Sequence, residues 1–311
     1  MNYEQFVQEM QNCIKKMLPE YECIERQEIS KNNGKKLVGF AMRKSGEDIA
    51  PIIYLEQFYE RYLNGESIEE LCSNMIALRN TSIVPSPDEY QCFLNFKEVE
   101  EKIVYRLINF EKNKELLKEV PHLPMMDFAI VFCVVVSVSD ADYYSLMIRN
   151  EHMDLWKVSI SQLYEKARET TPKMFPKVFR RLTDYINLSE YGDEFGCPFW
   201  VLTNRGGSYG ATTLLYPDVF REIYEKLNSR YYMLPSSIHE FLILPEDFCD
   251  STAYLKDMVV NANDTVVDSR DYLSDSVYYF NGNGYAQTRG VRTLDGVKYQ
   301  FQSDGKGIPM N

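Results

Sequence analysis

The spacing of apolar residues changes along the chain from helical steps to alternation, and then mixes the two. Apolar residues recur every three or four positions at the start and predict an amphipathic helix ended by Pro19: Tyr3, Phe6, Val7, Met10, Ile14, Met17 and Leu18. The strand-like stretches YECIERQEI and KLVGFAMRK then flank the turn KNNGK, and IAPIIYL adds a third short strand. The pattern therefore predicts a helix followed by a β-hairpin.

Two further helices complete a helix-rich N-terminal lobe. The first ends at Asn64-Gly65, and the second begins with a capping box formed by Ser67 and Glu70. The Pro-rich segment at 83–89 breaks the pattern and marks the predicted boundary between a lobe at 1–85 and a lobe at 86–281, which we expect to form one continuous unit.

Strands and helices alternate irregularly after this break. Strands are predicted at 103–110, 127–138, 143–150, 199–204, 211–216, 231–235, 238–245 and 276–280, and helices near 159–172, 176–186, 218–228 and 251–263. Because there is no regular βαβ alternation, we predict an α+β fold with a mixed, largely antiparallel sheet and flanking helices. Residues 282–311 are predicted to be a Gly-rich C-terminal extension, with one hairpin between YAQTRG and VKYQF.

Charge and composition narrow the possible partners. The 311 residues carry a net charge of −12, which opposes binding to nucleic acid and to anionic membranes. The exception is PKMFPKVFRR, in which Lys173, Lys177, Arg180 and Arg181 interleave with two Phe residues. A solvated face is the favoured interpretation, and contact with an acidic partner is the alternative. No apolar run has the length of a membrane span, and the start of the chain does not read as a signal peptide. Seven cysteines without a C-x-x-C pair favour reduced thiols, so we expect a cytoplasmic protein.

The stretch Gly206-Gly207-Ser208-Tyr209-Gly210 matches G-x-S-x-G, the nucleophile elbow of α/β-hydrolases. An elbow requires a helix after the serine, whereas the residues that follow, ATTLLYP, favour a short strand. Glycines are also what a tight turn between two strands requires. We therefore interpret Ser208 as a residue of a hairpin turn.

His239 is the other candidate for chemistry, because three histidines are all that the chain offers for acid–base work near neutral pH. It lies among Ser236, Ser237 and Glu240, which could supply a nucleophile and an orienting carboxylate. However, adjacent residues of a strand point to opposite faces, which separates His239 from Glu240. A strand-entry turn, in which the serines bind backbone donors, is the favoured interpretation.

The remaining polar candidates are attributed to local structure. Asn150 is predicted to cap a short helix that also holds His152, and His122 lies between two prolines in a loop. Asn150, His152 and Asn204 remain candidate ligand-binding residues. No metal-ligand spacing, phosphate-binding loop or dinucleotide motif occurs, so neither a metal nor a cofactor is predicted.

Several longer phrases occur in order along the chain and include IIYLEQFYERYLNGESIEEL, LMIRNEHMDLWKVSISQLYEKARETTP, YYMLPSSIHEFLILPED and LSDSVYYF. Together, over residues from about 1 to 281, they resemble an uncharacterised family, DUF5688, of gut Clostridia and their mobile elements. The phrase LWKVSISQLYEKA is distantly similar to the DUF1444 family of bacterial cytosolic proteins. The resemblance implies a bacterial cytoplasmic protein and transfers no site residues.

Two functional hypotheses follow from the sequence. The first is a non-enzymatic protein that binds another macromolecule or a small ligand, motivated by 23 Tyr and 17 Phe, residue types enriched at contact surfaces. The second is a serine hydrolase using Ser208 or Ser236 with His239 as base, assisted by Glu240 or Glu246. A toxin or defence role is suggested by the mobile-element setting alone.

Overall fold

The computed structural model describes residues 1–18, 21–44, 47, 50–81, 93–138, 143–185, 197–249, 251–280, 290–294, 297–301 and 307–309. It divides into two compact units, Met1–Phe93 and Leu94–Asn311. The segment 83–89, predicted as the boundary between lobes, lies outside the described residues.

The N-terminal unit packs three helices against an antiparallel sheet in the order β1-β2-β3. Its elements are α1 (Tyr3–Met17), β1 (Tyr21–Ser30), β2 (Lys36–Lys44), β3 (Ile52–Tyr54), α2 (Glu56–Leu63) and α3 (Ile68–Thr81). Helix α1 buries the apolar face that its spacing predicts, through Phe6, Val7, Met10 and Ile14. The predicted hairpin and third strand are confirmed, as is the Ser67–Glu70 capping box, in which Ser67 Oγ accepts the Glu70 N–H at 3.3 Å.

Two larger sheets form the C-terminal unit. The first pairs β4 (Ile103–Asn109), β5 (His122–Met125) and β7 (Tyr143–Met147) with the long strand β6 (Phe128–Val138). The second has the order β12-β10-β11-β9-β8 and consists of β8 (Lys177–Arg181), β9 (Trp200–Asn204), β10 (Tyr231–Pro235), β11 (Phe241–Pro245) and β12 (Tyr278–Phe280). Phe128 of the first sheet contacts Phe241 and Tyr278 of the second, with ring centroids 6.0 and 5.7 Å apart.

Helices flank these sheets. They are α4 (Phe96–Val99), α5 (Lys114–Leu117), α6 (Asn150–Trp156), α7 (Ile160–Met174), α8 (Leu182–Tyr185), α9 (Val219–Leu227) and α10 (Thr252–Thr265). The capping box predicted at the start of α7 is confirmed, because the Ser159 side chain accepts the Gln162 N–H at 3.3 Å. A third sheet lies near the end of the chain and consists of β13 (Gly290–Leu294), β14 (Val297–Phe301) and β15 (Gly307–Pro309).

The α+β class is confirmed, and the pairings among the described strands are antiparallel. Two local predictions are wrong. Lys177–Arg181 is a strand rather than a helix, because pairing with β9 outweighs local propensity. Helix α7 continues past Pro172, which lies in its last turn, where a missing N–H removes a single hydrogen bond. In the C-terminal hairpin VKYQF pairs with Gly290–Leu294, and residues 285–289 of the predicted hairpin lie outside the described residues.

None of the helices in the described part of the chain is long and apolar enough to span a bilayer.

Candidate functional site

The Gly-rich segment after β9 leads into a buried 3₁₀ helix, Gly210–Leu215, so the predicted strand at 211–216 and the hairpin are wrong. Two residues of the turn have positive φ, Gly207 at 70° and Tyr209 at 51°. A Cβ at Gly210 would overlap Thr203 Oγ1 and the carbonyl oxygen of His239. The chain therefore turns inward at Gly210, and burial of the following residues outweighs their β propensity.

Ser208 is placed in this turn and not at the start of an α-helix. Its carbonyl oxygen accepts a hydrogen bond from Asn204 Nδ2 at 2.9 Å, which ties the turn to the end of β9. Asn204 is 4% exposed, and its Oδ1 has no hydrogen-bond partner in the part of the chain that is described. The turn is thus anchored by Asn204 through its amide nitrogen, with one polar atom of that side chain left unbonded.

His239 lies in the bend before β11 and has both ring nitrogens engaged. Nδ1 accepts the Tyr209 N–H at 3.2 Å, and Nε2 lies 3.4 Å from Asp271 Oδ1. The hydrogen bond with Asp271 raises the pKa of His239 above its usual value, and burial opposes this rise. The Tyr209 N–H also opposes it, because an accepting Nδ1 must be unprotonated. Through these two contacts His239 connects the turn at Tyr209 and the segment at Asp271, both of which are distant from it in sequence.

The serines and glutamates proposed beside His239 bind elsewhere. Glu240 accepts a hydrogen bond from Ser237 Oγ at 3.1 Å, and the Ser236 N–H donates to the Glu240 carbonyl at 3.2 Å. Glu246 accepts from Tyr279 and pairs with an arginine of β10's leading loop, Arg230, at 2.6 Å. The carboxylate that faces His239 is Asp271, which no sequence signal connects with the histidine because it lies 32 positions away and outside any motif.

A nucleophile and base must share a hydrogen bond in a serine hydrolase. In the described residues no hydrogen bond joins the Ser208 hydroxyl to the His239 ring, whose nitrogens face Tyr209 and Asp271. The geometry provides an oriented histidine–carboxylate pair, but the side of the ring that would receive a proton from serine is occupied by a backbone N–H.

The other two histidines make local contacts. His152 Nδ1 accepts the Arg149 N–H at 2.9 Å, and its ring stacks on Trp156 at 5.6 Å. Burial lowers the pKa of His152. Asn150 is the first residue of α6 rather than its N-cap, which is Arg149, and so that prediction is wrong. His122 Nδ1 lies 3.1 Å from the Val120 carbonyl oxygen.

Three of the four cations of the basic segment contact neighbouring residues. Lys177 pairs with Glu222, and the Arg180 guanidinium lies over the Tyr185 ring at 4.9 Å. The guanidinium of Arg181 lies 5.8 Å from the Trp200 ring centroid. These contacts attach strand β8 to its neighbours, while Lys173, Arg180 and Arg181 are exposed.

An apolar groove lies at the other end of the second sheet, where the start of α10 packs on strand β11. Its volume is about 320 Å³. Nine residues line it: Pro198, Phe199, Leu244, Phe248, Cys249, Ser251, Tyr254, Leu255 and Met258. We call this feature the aromatic groove.

The floor of the aromatic groove is part of the core, whereas two aromatic residues at its sides are largely exposed. Leu244 and Leu255 are 2% exposed and pack together with Leu234 and Val259. Phe248 and Tyr254 are 63% and 69% exposed. Two large aromatic rings held in water beside an apolar floor resemble the anchors of a binding surface more than parts of a core.

Local structure fixes both rings. Phe248 ends a 3₁₀ turn that begins at Glu246, whose backbone N–H donates to the Arg230 carbonyl at 2.8 Å. Tyr254 is in the first turn of α10, where its N–H donates to the N-cap Ser251 at 3.4 Å. The backbone that carries the rings is therefore ordered before any partner arrives, which lowers the entropy cost of binding.

Charge near the groove is mixed, with acidic residues in excess. Asp247 and Asp257 are exposed beside the aromatic residues, and Lys256 is the exposed cation between them. Together with the net charge of −12, these carboxylates favour a partner with basic residues.

No cluster of three or more His, Cys, Asp or Glu side chains suited to a metal ion occurs among the described residues.

A family model described as "Family of unknown function (DUF5688)" matches residues 3–282. The fainter likeness to DUF1444 is not shown. No curated protein and no solved structure gives a significant match.

Proposed function

The chain belongs to the DUF5688 family of unknown function, and we propose that it is a non-enzymatic binding protein of the bacterial cytoplasm. Its aromatic groove takes a segment of a partner protein that presents a large apolar side chain flanked by basic residues. The observation that carries this proposal is the exposure of Phe248 and Tyr254 on either side of an apolar floor.

The size of the groove suits one anchor of a protein segment. At about 320 Å³ it lies near the lower limit of ligand sites, which run from about 300 to 1,000 Å³. Enclosed small-molecule sites cover most of their ligand, whereas here the two aromatic side chains remain largely in solvent. A protein segment that covers Phe248 and Tyr254 from outside explains this exposure better than a small ligand does.

Charge argues against a second copy of the chain as the occupant. Two molecules that each carry −12 repel one another at low ionic strength. A basic segment gains from the same field, which also speeds its encounter with the groove.

A photo-crosslinking experiment in the producing cells tests the proposal. The photoreactive residue p-benzoylphenylalanine replaces Tyr254 in one variant and Tyr144, which is 54% exposed on β7, in a matched control. We expect a discrete adduct with a basic protein from position 254 and not from position 144. The captured protein, once purified, should bind the wild type and lose affinity for Phe248→Ala. Equal adducts from both positions, or none from position 254, would refute the proposal.

The His239–Asp271 pair keeps the serine hydrolase as a second candidate. In that hypothesis His239 activates Ser208 or Ser236, with Asp271 rather than Glu240 as the orienting carboxylate. It requires the Tyr209 N–H to leave Nδ1 so that the ring can accept a serine proton. Labelling by a serine-reactive fluorophosphonate that disappears in His239→Ala would support this candidate, and an unlabelled wild-type protein would eliminate it.

A further inference from the structure

Four sulfur atoms lie together in the N-terminal unit, between helices α1 and α3. The spacing Met10-x-x-Cys13-x-x-x-Met17 places three of them on one face of α1. Cys13 Sγ is 3.8 Å from Met17 Sδ, and Cys72 Sγ of α3 is 3.5 Å from Met10 Sδ. The Cys13 thiol also interacts with the Cys72 thiol. We call these four residues the sulfur cluster.

Two separations within the sulfur cluster, one in each Cys–Met pair, match those of ligands that share one metal ion. With metal–sulfur bonds of about 2.3 Å, two sulfurs of a tetrahedral or trigonal site lie about 3.8–4.0 Å apart. The Cys13–Met17 and Cys72–Met10 sulfur separations, 3.8 and 3.5 Å, are close to that distance. Methionine has the flexibility to bring the two pairs onto one ion.

The type of ligand selects the metal. Thiolate and thioether sulfur are soft ligands that favour Cu(I), whereas Ca²⁺ and Mg²⁺ require oxygen. We propose that the sulfur cluster is a binding site for monovalent copper, with Cys13 and Cys72 as thiolates and Met10 and Met17 as thioether ligands.

The sulfur cluster is partly buried and partly accessible to solvent, as a metal-binding site requires and as a contact wholly within the core would not be. Cys72 and Met10 are fully buried and form the inner half, whereas Met17 is 43% exposed. Cys13 and Met17 line an open groove of about 720 Å³ that also holds Glu9, Glu69 and Lys16. An ion can therefore reach the two outer sulfurs from solvent, past two carboxylates and one lysine.

Binding requires no oxidation or reduction. One Cu(I) ion forms a bond to each cysteine sulfur, and the two thiol protons leave to solvent, so the occupied site carries one negative charge. Because binding releases both thiol protons, the affinity for copper increases with pH.

Competition against the Cu(I) chelator bicinchoninate, under anaerobic reducing conditions, tests the site in the full-length protein. We expect one tightly bound Cu(I) per chain, with affinity falling more than about a hundred-fold in Cys13→Ser and less in Met17→Leu. Cys197→Ser, a change at a half-buried free cysteine in the other unit, should leave the affinity unchanged. X-ray absorption of the complex should show sulfur ligands alone.

Two results would overturn the proposal. One is an equal loss of Cu(I) in Cys13→Ser and Cys197→Ser, which would mean that scattered thiols bind the ion. The other is a nitrogen or oxygen coordination shell in the absorption spectrum. Cys13 and Met17 are partly exposed, so their variants are expected to fold, and a thermal unfolding curve of each verifies this.

Discussion

Replacing Phe248 with alanine tests whether this side chain stabilises the fold or serves to bind a partner. Phe248 is 63% exposed, so little more than a third of its surface is buried in the folded chain. For an aromatic side chain of about 200 Å² this is about 75 Å², or at most about 2 kcal/mol at 25 cal/mol per Å². Leu255, which forms the groove floor, is 2% exposed, and Leu255→Ala should cost about 2–5 kcal/mol.

The same calculation gives the free energy of binding that Phe248 can contribute when a partner covers its exposed surface. Covering the remaining surface, about 125 Å², releases up to about 3 kcal/mol, or a factor of roughly a hundred in Kd. Urea unfolding of the wild type, Phe248→Ala and Leu255→Ala measures the stability part. We expect the Phe248 variant to lose clearly less free energy of unfolding than the Leu255 variant. A Phe248→Ala loss as large as that of Leu255→Ala would show that the ring stabilises the fold, and would refute the reasoning.

Two further predictions concern the His239 region. Asp271 raises the pKa of His239, so the stabilisation from this pair is complete below the unfolded-state pKa of about 6.5 and is lost as pH rises through the folded-state value. Asp271→Asn should therefore destabilise the protein more at pH 5.5 than at pH 8.5 in urea unfolding, and a constant difference would contradict this. Gly210→Ala should cost about 3 kcal/mol or more, because the new methyl overlaps Thr203 and the His239 carbonyl. Gly206→Ala, where a Cβ meets nothing closer than 3.7 Å, is the control and should lie within about 0.5 kcal/mol of the wild type.

Local sequence rules predict elements whose stability is decided locally. The capping boxes at Ser67 and Ser159 are found where the spacing places them, because cap and partner are three residues apart. The long apolar stretch at 127–138 forms the central strand β6, since its length and its many β-branched residues suit a buried strand better than a helix.

Elements decided by distant contacts are not predictable in this way. Lys177–Arg181 reads as the start of a helix but becomes a strand because β9 supplies its hydrogen bonds. Residues 211–214 have β-prone side chains but form a 3₁₀ helix, because close packing at Gly210 turns the chain into the core. The β propensity of a segment is a weak guide to its structure where tertiary packing favours a different conformation.

The candidate sites show the same limit. Asp271 could not be assigned to His239 from the sequence, because 32 residues and strand β11 separate them. The aromatic groove combines Phe199 with residues near 248 and 254, and exposure of a ring is not visible in a sequence. The abundance of Tyr and Phe suggested a contact surface, but only the fold indicates which of them lie at its surface.

The most direct measurement is the affinity of the partner captured at position 254 for three purified proteins. These are the wild type, the double variant Phe248→Ala/Tyr254→Ala, and Tyr144→Ala, each measured by calorimetry at about 0.05 and 0.5 M salt. A binding role for the aromatic groove predicts a loss of about a hundred-fold or more in the double variant, no change in Tyr144→Ala, and weaker wild-type binding at high salt. Wild-type affinity in the double variant would contradict it.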